Sequence, residues 1–392
     1  MTSRIEWVRD NCRLLKQLSA EYKKTRPFEG LTIGTGIHLE PKTVTLLLTL
    51  KDGGARVVST GNLNSTQKSA VDYLREHGVE VIGEATRDKA QHLKYLQAVL
   101  AEKPDLLLDN GGDLFAEYLK APYGNLQGGT EETTSGRMRL VELRQQLNMP
   151  ILVINDSPIK QFAENEHAVG QSVLESYMRI TNRVTNGQRV TVFGYGACGM
   201  GVAYNFRNAN AKVSVVDTDP LKRLQAHLDG FDTPSREDAI RSADVIVTVS
   251  GGGRIIGGED IPLLKNGVIL ANAGHFPVEI DVDSFARSEQ IENVNEFEES
   301  IASYQTKSGK NFKIITEGHM FNLAGPRPLG NSIESMDLGF ALQSLCLEAV
   351  ARKKVNNTHC VVPVTREIDE KVANMYIDLI YSKSESFWDE GG

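Results

Sequence analysis

The chain has 392 residues, 40% of them hydrophobic, so it can bury large cores and is expected to form two or three domains. Its formal net charge of −8 argues against a nucleic-acid partner, and no apolar run approaches the roughly 20 residues that cross a bilayer. The first residues carry charges where a signal peptide needs an apolar core, and the four cysteines lack metal-ligand spacing. We therefore expect a cytoplasmic protein without a metal site.

The first part of the chain alternates between helix-like and strand-like patterns. A helical period comes first, over residues 4–21. The alternation continues over residues 31–34, 42–51, 55–59, 66–77, 79–82, 92–102, 106–108, 137–147 and 151–154. Such alternation predicts an α/β domain with a parallel sheet. Lone histidines in it, such as His77 and His92, are expected at the surface.

A glycine-rich turn follows the strand-like run at residues 190–193 and precedes a helix-like stretch at 200–208. Gly194 permits the tight turn, Gly196 lets the backbone approach a pyrophosphate, and Gly199 allows the helix to pack closely on the strand. Asp217 ends the next apolar run, where its carboxylate can bind the ribose hydroxyls of NAD and repel the 2′-phosphate of NADP. The alternative is an ordinary strand-turn-helix connection in which Asp217 caps a local turn.

Further strand-like runs at residues 245–249, 267–271 and 312–316 extend this second domain, and a long helix is predicted over 332–351. The fold class is thus α/β with two domains, a doubly wound Rossmann-type NAD domain being inserted in an α/β substrate domain. The predicted boundaries are 1–175 and 326–370 for the substrate domain, 176–325 for the NAD domain, and 371–392 for a C-terminal tail.

Several polar motifs follow apolar strands, which is where open parallel sheets bind ligands. In chain order they are S-T-Q at 65–67, D-N-G-G-D-L at 109–114, E-E-T-T-S-G at 131–136, N-D-S-P-I-K at 155–160, G-Y-G-A-C-G-M-G at 194–201, N-A-G-H-F-P-V-E-I at 272–280 and E-G-H-M-F-N-L at 317–323. In this order and spacing they resemble the S-adenosylhomocysteine hydrolase family over roughly residues 5–380. The H-L-E-P-K-T sequence at 38–43 resembles the shorter bacterial and archaeal members.

The resemblance implies a tightly bound NAD that oxidises the ribose 3′-hydroxyl of a nucleoside. The ketone makes the C4′ proton acidic, a group leaves C5′, water adds to the alkene, and the ketone is reduced again. The NAD ends as it began, so a site that excludes water at the ketone stage makes chemical sense.

The resemblance also implies roles for individual residues. Lys160 would assist removal of the 3′-hydroxyl proton, Glu132 would hold the ribose diol, and His38 would face C5′ as acid or base. The other implied catalytic positions are Asn110, Glu164 and His275. The implied cofactor contacts, beyond the glycine loop and Asp217, are Thr133, Thr134, Ser135, Asn272 and Asn322. The implied substrate contacts are Glu40, Lys42, Thr66, Gln67, Asn165 and His167. Strand-end caps remain an alternative for the threonines and asparagines, and a solvated surface position for Lys160.

The chain also departs from the family. Asn110 stands where the family has an aspartate, so an amide replaces a group that exchanges protons. Glu164 and His167 replace an aspartate and a tyrosine, and the loop at 324–332 is longer and lacks a histidine. Residues 382–392 have the polar sequence S-K-S-E-S-F-W-D-E-G-G, without the lysine-and-tyrosine motif of the family's C-terminal arm. Cofactor exchange is therefore expected to be easier. The family forms a tetramer, but without this motif we expect a homo-oligomer that is either a dimer or a tetramer.

Three functions remain open at this stage. The first is hydrolysis of S-adenosylhomocysteine, or of its inosyl analogue, to a nucleoside and homocysteine. The second is a biosynthetic dehydratase that uses the same oxidation and elimination but stops at a 4′,5′-unsaturated nucleoside, which the departures favour. The third is an inactive regulator, which the retained Lys160, Glu132, His38 and His275 argue against. Which purine is read stays open, because Glu40 and Lys42 offer both an acceptor and a donor.

Overall fold

A computed structural model of the chain describes residues 3–297, 300–355 and 358–385, with side chains described up to residue 381. It contains two compact units, Met1–Gln161 with Ile333–Gly392, and Phe162–Ser332. The boundaries at 176, 326 and 371 that we infer from the sequence stay predictions. Most of the expected tail falls in a helix, while residues 386–392 lie outside the described part of the chain.

The strands are numbered in chain order. They are β1 Thr32–Ile37, β2 Arg56–Gly61, β3 Glu80–Val81, β4 Leu106–Asp109, β5 Gly128–Glu131, β6 Ile151–Val153, β7 Arg189–Phe193, β8 Lys212–Val216, β9 Val245–Thr248, β10 Ile269–Asn272, β11 Ile291–Phe297, β12 Ile301–Thr306, β13 Asn311–Ile315 and β14 Val362–Pro363.

The helices are numbered in the same way. They are α1 Arg4–Asn11, α2 Arg13–Thr25, α3 Pro41–Asp52, α4 Lys68–Glu76, α5 Lys89–Ala101, α6 Asp113–Tyr118, α7 Thr134–Leu143, α8 Val169–Thr181, α9 Ala197–Asn208, α10 Pro220–Leu228, α11 Arg236–Ser242, α12 Val282–Ala286, α13 Phe321–Ala324, α14 Ile333–Ala351 and α15 Arg366–Glu385. A π-helix, Lys160–Ala168, leads directly into α8.

The first unit is built on a seven-stranded sheet in the order β14-β6-β5-β4-β1-β2-β3. Every neighbouring pair is parallel, and β1 pairs with both β2 and β4. Strands β4 and β6 are buried along their whole length, as parallel strands covered on both faces should be. The chain order reverses at β1, so the carboxyl ends of β1 and β4 form the switch point at which such sheets bind ligands.

Three features of the first unit differ from the sequence-based expectation. The single helix predicted over residues 4–21 is two helices, α1 and α2, separated at Cys12. Strand β5 falls in a stretch without a strand-like pattern, because its tight packing requires glycine: a Cβ on Gly129 would lie 1.9 Å from the backbone oxygen of Leu107. His92 is only 8% exposed, so the expectation that it lies at the surface is wrong, whereas His77 is exposed as expected.

The second unit has a seven-stranded sheet in the order β11-β12-β13-β10-β9-β7-β8. Strands β13, β10, β9, β7 and β8 are parallel, which fits a Rossmann-type domain. Strands β11 and β12 add an antiparallel edge that we do not predict from the sequence. Its polar, largely exposed first strand has no continuous apolar run by which it could be recognised.

Helices α8 and α9 pack closely because glycines face each other where they meet. A Cβ on Gly170 would lie 2.4 Å from the backbone of Gly201, and one on Gly201 would lie 1.8 Å from the backbone oxygen of Glu166. This explains the last glycine of the G-Y-G-A-C-G-M-G motif. No helix in the described part of the chain has both the length and the apolar character needed to cross a membrane.

Candidate active site

Polar side chains from several loops of the first unit meet at the carboxyl edge of its sheet. His38 follows β1, Asn62 follows β2, Asn110 follows β4 and Glu132 follows β5. Because all these strands are parallel, their carboxyl ends lie along one edge. The loop after β6 brings Lys160 to the same edge, where it contacts Glu132. Edge and switch point coincide, as expected for a ligand site.

Lys160 and Glu132 form a buried ion pair at the centre of this group. The Lys160 Nζ lies 3.1 Å from Oε1 of Glu132, and each side chain is only 5% exposed. Burial acts to raise the pKa of Glu132, but the charge of Lys160 and hydrogen bonds from Lys160 and Asn110 outweigh it, so this pKa is lowered from its usual value. Glu132 is therefore an ionised acceptor in a dry environment. The surface position considered for Lys160 is wrong.

Asn110 donates to the other oxygen of Glu132. Its Nδ2 lies 2.7 Å from Glu132 Oε2, while its Oδ1 accepts a hydrogen bond from Asn62 Nδ2 at 3.0 Å. Asn62 Nδ2 also lies 3.1 Å from the backbone oxygen of Asn110. Because an ionised carboxylate only accepts, the Asn110 amide must point its nitrogen at Glu132. Asn62 is not among the predicted site residues, although it begins the polar stretch that contains the S-T-Q motif.

Two further carboxylates hold the loops on which Asn110 and Glu132 are carried. Glu131 accepts hydrogen bonds from the N–H groups of Gly111 at 3.0 Å and Thr133 at 2.7 Å. Asp109 accepts one from the N–H of Asn110 at 2.9 Å. Burial, with the charge of a neighbouring carboxylate, raises the pKa of Glu131 and raises that of Asp109 to about 7. We assign these carboxylates to loop support.

A second buried ion pair lies just after β1. Lys42 Nζ lies 2.8 Å from Glu40 Oε2, and the two side chains are 5% and 9% exposed. Nearby, Nδ1 of His38 is hydrogen-bonded to the hydroxyl of Ser65, and the hydroxyl of Thr43 donates to the His38 backbone oxygen at 2.6 Å. This short stretch thus offers an anchored imidazole together with a donor and an acceptor.

The remaining predicted residues of the first unit lie at helix starts. The Thr66 hydroxyl donates to the backbone oxygen of Asn62 at 3.2 Å, and Gln67 precedes α4. Thr133 caps α7 by accepting from Gly136 N at 2.9 Å, with the Ser135 hydroxyl 3.1 Å away. Thr134 follows, its hydroxyl donating to Asn155 Oδ1 at 3.0 Å. Capping is thus observed for Thr133, and a cofactor role for the E-T-T-S stretch stays a prediction.

The glycine loop of the second unit fits a dinucleotide. Gly194 has a φ of +106°, which L side chains rarely adopt. A Cβ on Gly199 would lie 2.0 Å from the backbone oxygen of Gly194, so the turn packs closely against the start of α9. A Cβ on Gly196 would meet no atom within 4 Å, so the backbone there faces open space, as a pyrophosphate at the helix N-terminus requires.

Asp217 lies at the end of β8, where the ribose-binding acid of such a domain belongs. Its Oδ2 accepts a hydrogen bond from Tyr195 N at 2.7 Å and its Oδ1 one from Asp219 N at 2.9 Å. Each carboxylate oxygen has a second lone pair, so both can still bind ribose hydroxyls. Asp217 therefore supports the glycine loop and can also bind the cofactor.

Two asparagines of the second unit differ in their fit to a cofactor role. Asn272 is fully buried, and its side chain contacts the backbone oxygen of Gly318 at 2.8 Å and the N–H of Gly274 at 2.8 Å. Asn322 is 2% exposed, and its Oδ1 has no hydrogen-bond partner among the described residues. Leaving a buried acceptor unsatisfied costs free energy, so the Asn322 oxygen is suited to accept a hydrogen bond from an amide group of a bound cofactor. The Asn272 side chain instead stabilises its own loop.

The other predicted residues of the second unit are spread over two segments. Glu164 and Asn165, on the π-helix, are buried, and Glu164 Oε1 lies 3.4 Å from Asn331 Nδ2. His167 is exposed, which gives no support to a substrate contact, although the role remains a prediction. His275 is partly buried, with its ring 4.6 Å from that of Phe276.

Two family models match most of the chain. A family model described as S-adenosyl-L-homocysteine hydrolase matches residues 3–123, and one described as the NAD binding domain of that enzyme matches residues 165–327. The predicted NAD cofactor and the predicted α/β fold with a Rossmann-type domain are confirmed.

Relatives of established name match nearly the whole chain. The chain is 38% identical over 387 residues to an adenosylhomocysteinase of Thermotoga maritima. The matched region covers 96% of this chain and 93% of that relative. It is 36% identical to an S-inosyl-L-homocysteine hydrolase of Methanopyrus kandleri, with 95% and 89% covered. It is 34% identical to an adenosylhomocysteinase of Aquifex aeolicus, with 99% and 93% covered.

Proposed function

Because the chain belongs to the S-adenosyl-L-homocysteine hydrolase family, we propose that it is an NAD-dependent hydrolase that cleaves a nucleosyl-homocysteine thioether to nucleoside and homocysteine. The observation that carries this proposal is the buried Lys160–Glu132 pair, with Asn110 on the second oxygen of the carboxylate. A dry, ionised carboxylate beside an ammonium is suited to a ribose diol whose proton must be moved.

The chain's own residues then divide the work. Glu132 accepts hydrogen bonds from the ribose hydroxyls, and a diol bound there competes with Lys160 for the carboxylate. That competition weakens the ion pair and favours the neutral amine, which accepts the 3′-hydroxyl proton. The chemistry supplied by bound NAD is oxidation of the ribose 3′-carbon and its later reduction. Asn110 orients Glu132 but cannot take a proton.

His38 is the group we assign to proton exchange at C5′. Ser65 is hydrogen-bonded to its Nδ1, so Nε2 is the nitrogen assigned to that exchange. We assign recognition of the base to the neighbouring Glu40–Lys42 pair, since the ammonium suits the 6-oxygen of hypoxanthine and the carboxylate suits the 6-amino group of adenine. Adenosyl and inosyl substrates both fit this pair.

A dehydratase that stops at the alkene is not favoured, since the relatives described above carry the names of hydrolases of nucleosyl-homocysteines. Purified protein incubated separately with S-adenosylhomocysteine and S-inosylhomocysteine should release homocysteine and the matching nucleoside, measured by mass. Glu132→Gln is the matched inactive control. A 4′,5′-unsaturated nucleoside without homocysteine release from either thioether would contradict the proposal.

We further propose that the protein is a cytoplasmic homo-oligomer, a dimer or a tetramer. Helix α10 supports association, because Leu221, Leu224 and Leu228 are 73%, 54% and 75% exposed at helical spacing. The four cysteines are free, which fits a reducing compartment. Light scattering during size-exclusion chromatography measures the mass, and a monomer would contradict the proposed assembly.

A further inference from the structure

The segment that carries Lys160 is fixed at its start by a serine cap. Ser157 is fully buried, and its Oγ accepts hydrogen bonds from the N–H of Ile159 at 3.1 Å and of Lys160 itself at 3.4 Å. Proline at the next position, residue 158, suits the first position of a helix. The backbone of Lys160 is therefore held directly by the Ser157 hydroxyl.

That hydroxyl is oriented by a residue from the far end of the chain. Ser157 Oγ donates to Oδ1 of Asp369 at 2.6 Å, across 212 residues of sequence. A serine hydroxyl has one hydrogen and two lone pairs. Because the hydrogen points at Asp369, both lone pairs turn towards the N–H groups of Ile159 and Lys160. Without that acceptor, the hydroxyl can rotate and release one of the two.

We propose that Asp369, on helix α15, is a positioning residue for Lys160 and acts through Ser157. The proposal rests on the proposed function, in which Lys160 takes the 3′-hydroxyl proton. The Lys160 Nζ lies 3.1 Å from Oε1 of Glu132, so a small shift of the Lys160 backbone alters that pair. A misplacement of about 1 Å can cost on the order of 10²-fold in rate.

The test compares three variants of α15. Asp369→Ala removes the acceptor, and Asp369→Asn keeps an oxygen that can accept from Ser157. Val372→Ala trims a fully buried residue one turn away and leaves the Asp369 carboxylate in place. The measured quantity is the rate at which adenosine reduces the bound NAD, followed by absorbance across pH. Asp369→Ala should lower the maximal rate by roughly 10- to 100-fold, leave half-saturation unchanged and displace the pH profile.

The other two variants separate positioning from loosened docking of α15. Asp369→Asn should stay within about threefold of the unaltered enzyme, and Val372→Ala should lower thermal stability at least as much as Asp369→Ala while keeping the pH profile. If Val372→Ala reproduces both the rate loss and the displaced profile, the positioning role is overturned.

A second measurement does not depend on activity. The coupling free energy between Lys160 and Glu132 is obtained from the unfolding free energies of the unaltered protein, Lys160→Met, Glu132→Gln and their double variant. When the same cycle is measured in the Asp369→Ala protein, this coupling free energy should be smaller. Unchanged coupling overturns the inference even in an active enzyme. Reduced coupling in a protein that never oxidises a nucleoside would refute the proposed function and leave the positioning role standing.

Discussion

The two functional regions of this chain are built in opposite ways. At the sheet edge of the first unit, charged and polar side chains are buried and bind one another, as Lys160, Glu132 and Asn110 do. In the glycine loop of the second unit the backbone forms the site, and Gly196 leaves open space where a side chain would stand. The first region depends on charges that compensate each other, and the second depends on open space that a missing side chain leaves beside the backbone.

This difference determines which changes each region tolerates. Removing one charge of the ion pair without changing volume should damage the first region, because the partner is left buried and uncompensated. Adding a single methyl group should damage the second, because it occupies space reserved for a phosphate or collides with backbone. Four predictions test this contrast.

The largest effect is expected for Lys160→Met, which preserves approximate volume and removes the charge. The rate of nucleoside oxidation should fall by about 10²–10⁴-fold, the usual contribution of a general acid or base. The variant also leaves Glu132 buried without its partner, which should cost about 3–5 kcal/mol of unfolding free energy. Denaturant unfolding and the absorbance of reduced bound NAD measure the two effects.

The double variant Lys160→Met with Glu132→Gln separates the two effects, because the neutral amide no longer needs a counter-charge. Most of the lost stability should return while the rate of nucleoside oxidation stays low. A double variant as unstable as the single one would show that the charge of Glu132 is compensated elsewhere.

The next effect concerns Asn110→Asp. A carboxylate there would lie 2.7 Å from Glu132 Oε2 if it kept the place of the amide nitrogen, and two like charges so close raise the pKa of one of them. The protonated pair is then the stable form: the added stability is present below the ordinary aspartate pKa of about 4 and is lost as pH rises through the raised value.

The shared proton would give Asn110→Asp an acid that the unaltered chain lacks. Turnover of S-adenosylhomocysteine should therefore rise by up to about 10²-fold and fall away as pH increases. Initial rates measured over a pH series, with Asn62→Ala as a control that frees the amide without adding an acid, test this. Equal rates in Asn110→Asp and in the unaltered chain would mean that another group supplies the proton.

The features of the fold and of the candidate site that could be predicted from the sequence are those formed by residues close together in the chain. The strand, turn, helix and acid of the NAD domain lie within residues 190–217, and the structure and the family match agree with that reading. The proximity of Lys160 to Glu132 could be anticipated only because residues at the ends of parallel strands share one edge. The roles of individual site residues remain predictions.

What could not be predicted depends on packing between distant segments. Asn62 contacts Asn110 across 48 residues, and nothing in either local stretch indicates that their amides pair. Strand β5 carries glycines because a neighbouring backbone excludes side chains, so it lacks the β-branched residues by which strands are recognised. His92 is buried by neighbours that its own helical stretch does not reveal.

A smaller effect is expected from two alanine substitutions in the glycine loop. Gly199→Ala places a Cβ 2.0 Å from backbone, so it should lower the unfolding free energy by about 1–3 kcal/mol. Gly196→Ala meets no atom, so it should leave stability nearly unchanged and lower NAD affinity by roughly 10-fold or more. Gly124→Ala, also in open space but in the first unit, is the matched control for both thermal unfolding and NAD titration. A Gly196→Ala protein that binds NAD normally would contradict the assigned phosphate position.

The smallest effect is expected for Asp217→Asn, which removes charge and keeps an oxygen. The single side-chain oxygen of Asn can accept from Tyr195 N or from Asp219 N, and its amide nitrogen then faces the other N–H. The loop should therefore lose one hydrogen bond, worth about 0.5–1.5 kcal/mol. NAD affinity should fall by about tenfold at most, and the preference over NADP should narrow because the 2′-phosphate no longer meets a carboxylate. Titration of the NAD-free protein with NAD and, separately, with NADP measures the affinity for each cofactor. If NADP binding stays unimproved while NAD binding weakens, Asp217 acts through the loop it supports; if NADP gains and NAD is unaffected, its charge alone discriminates between the cofactors.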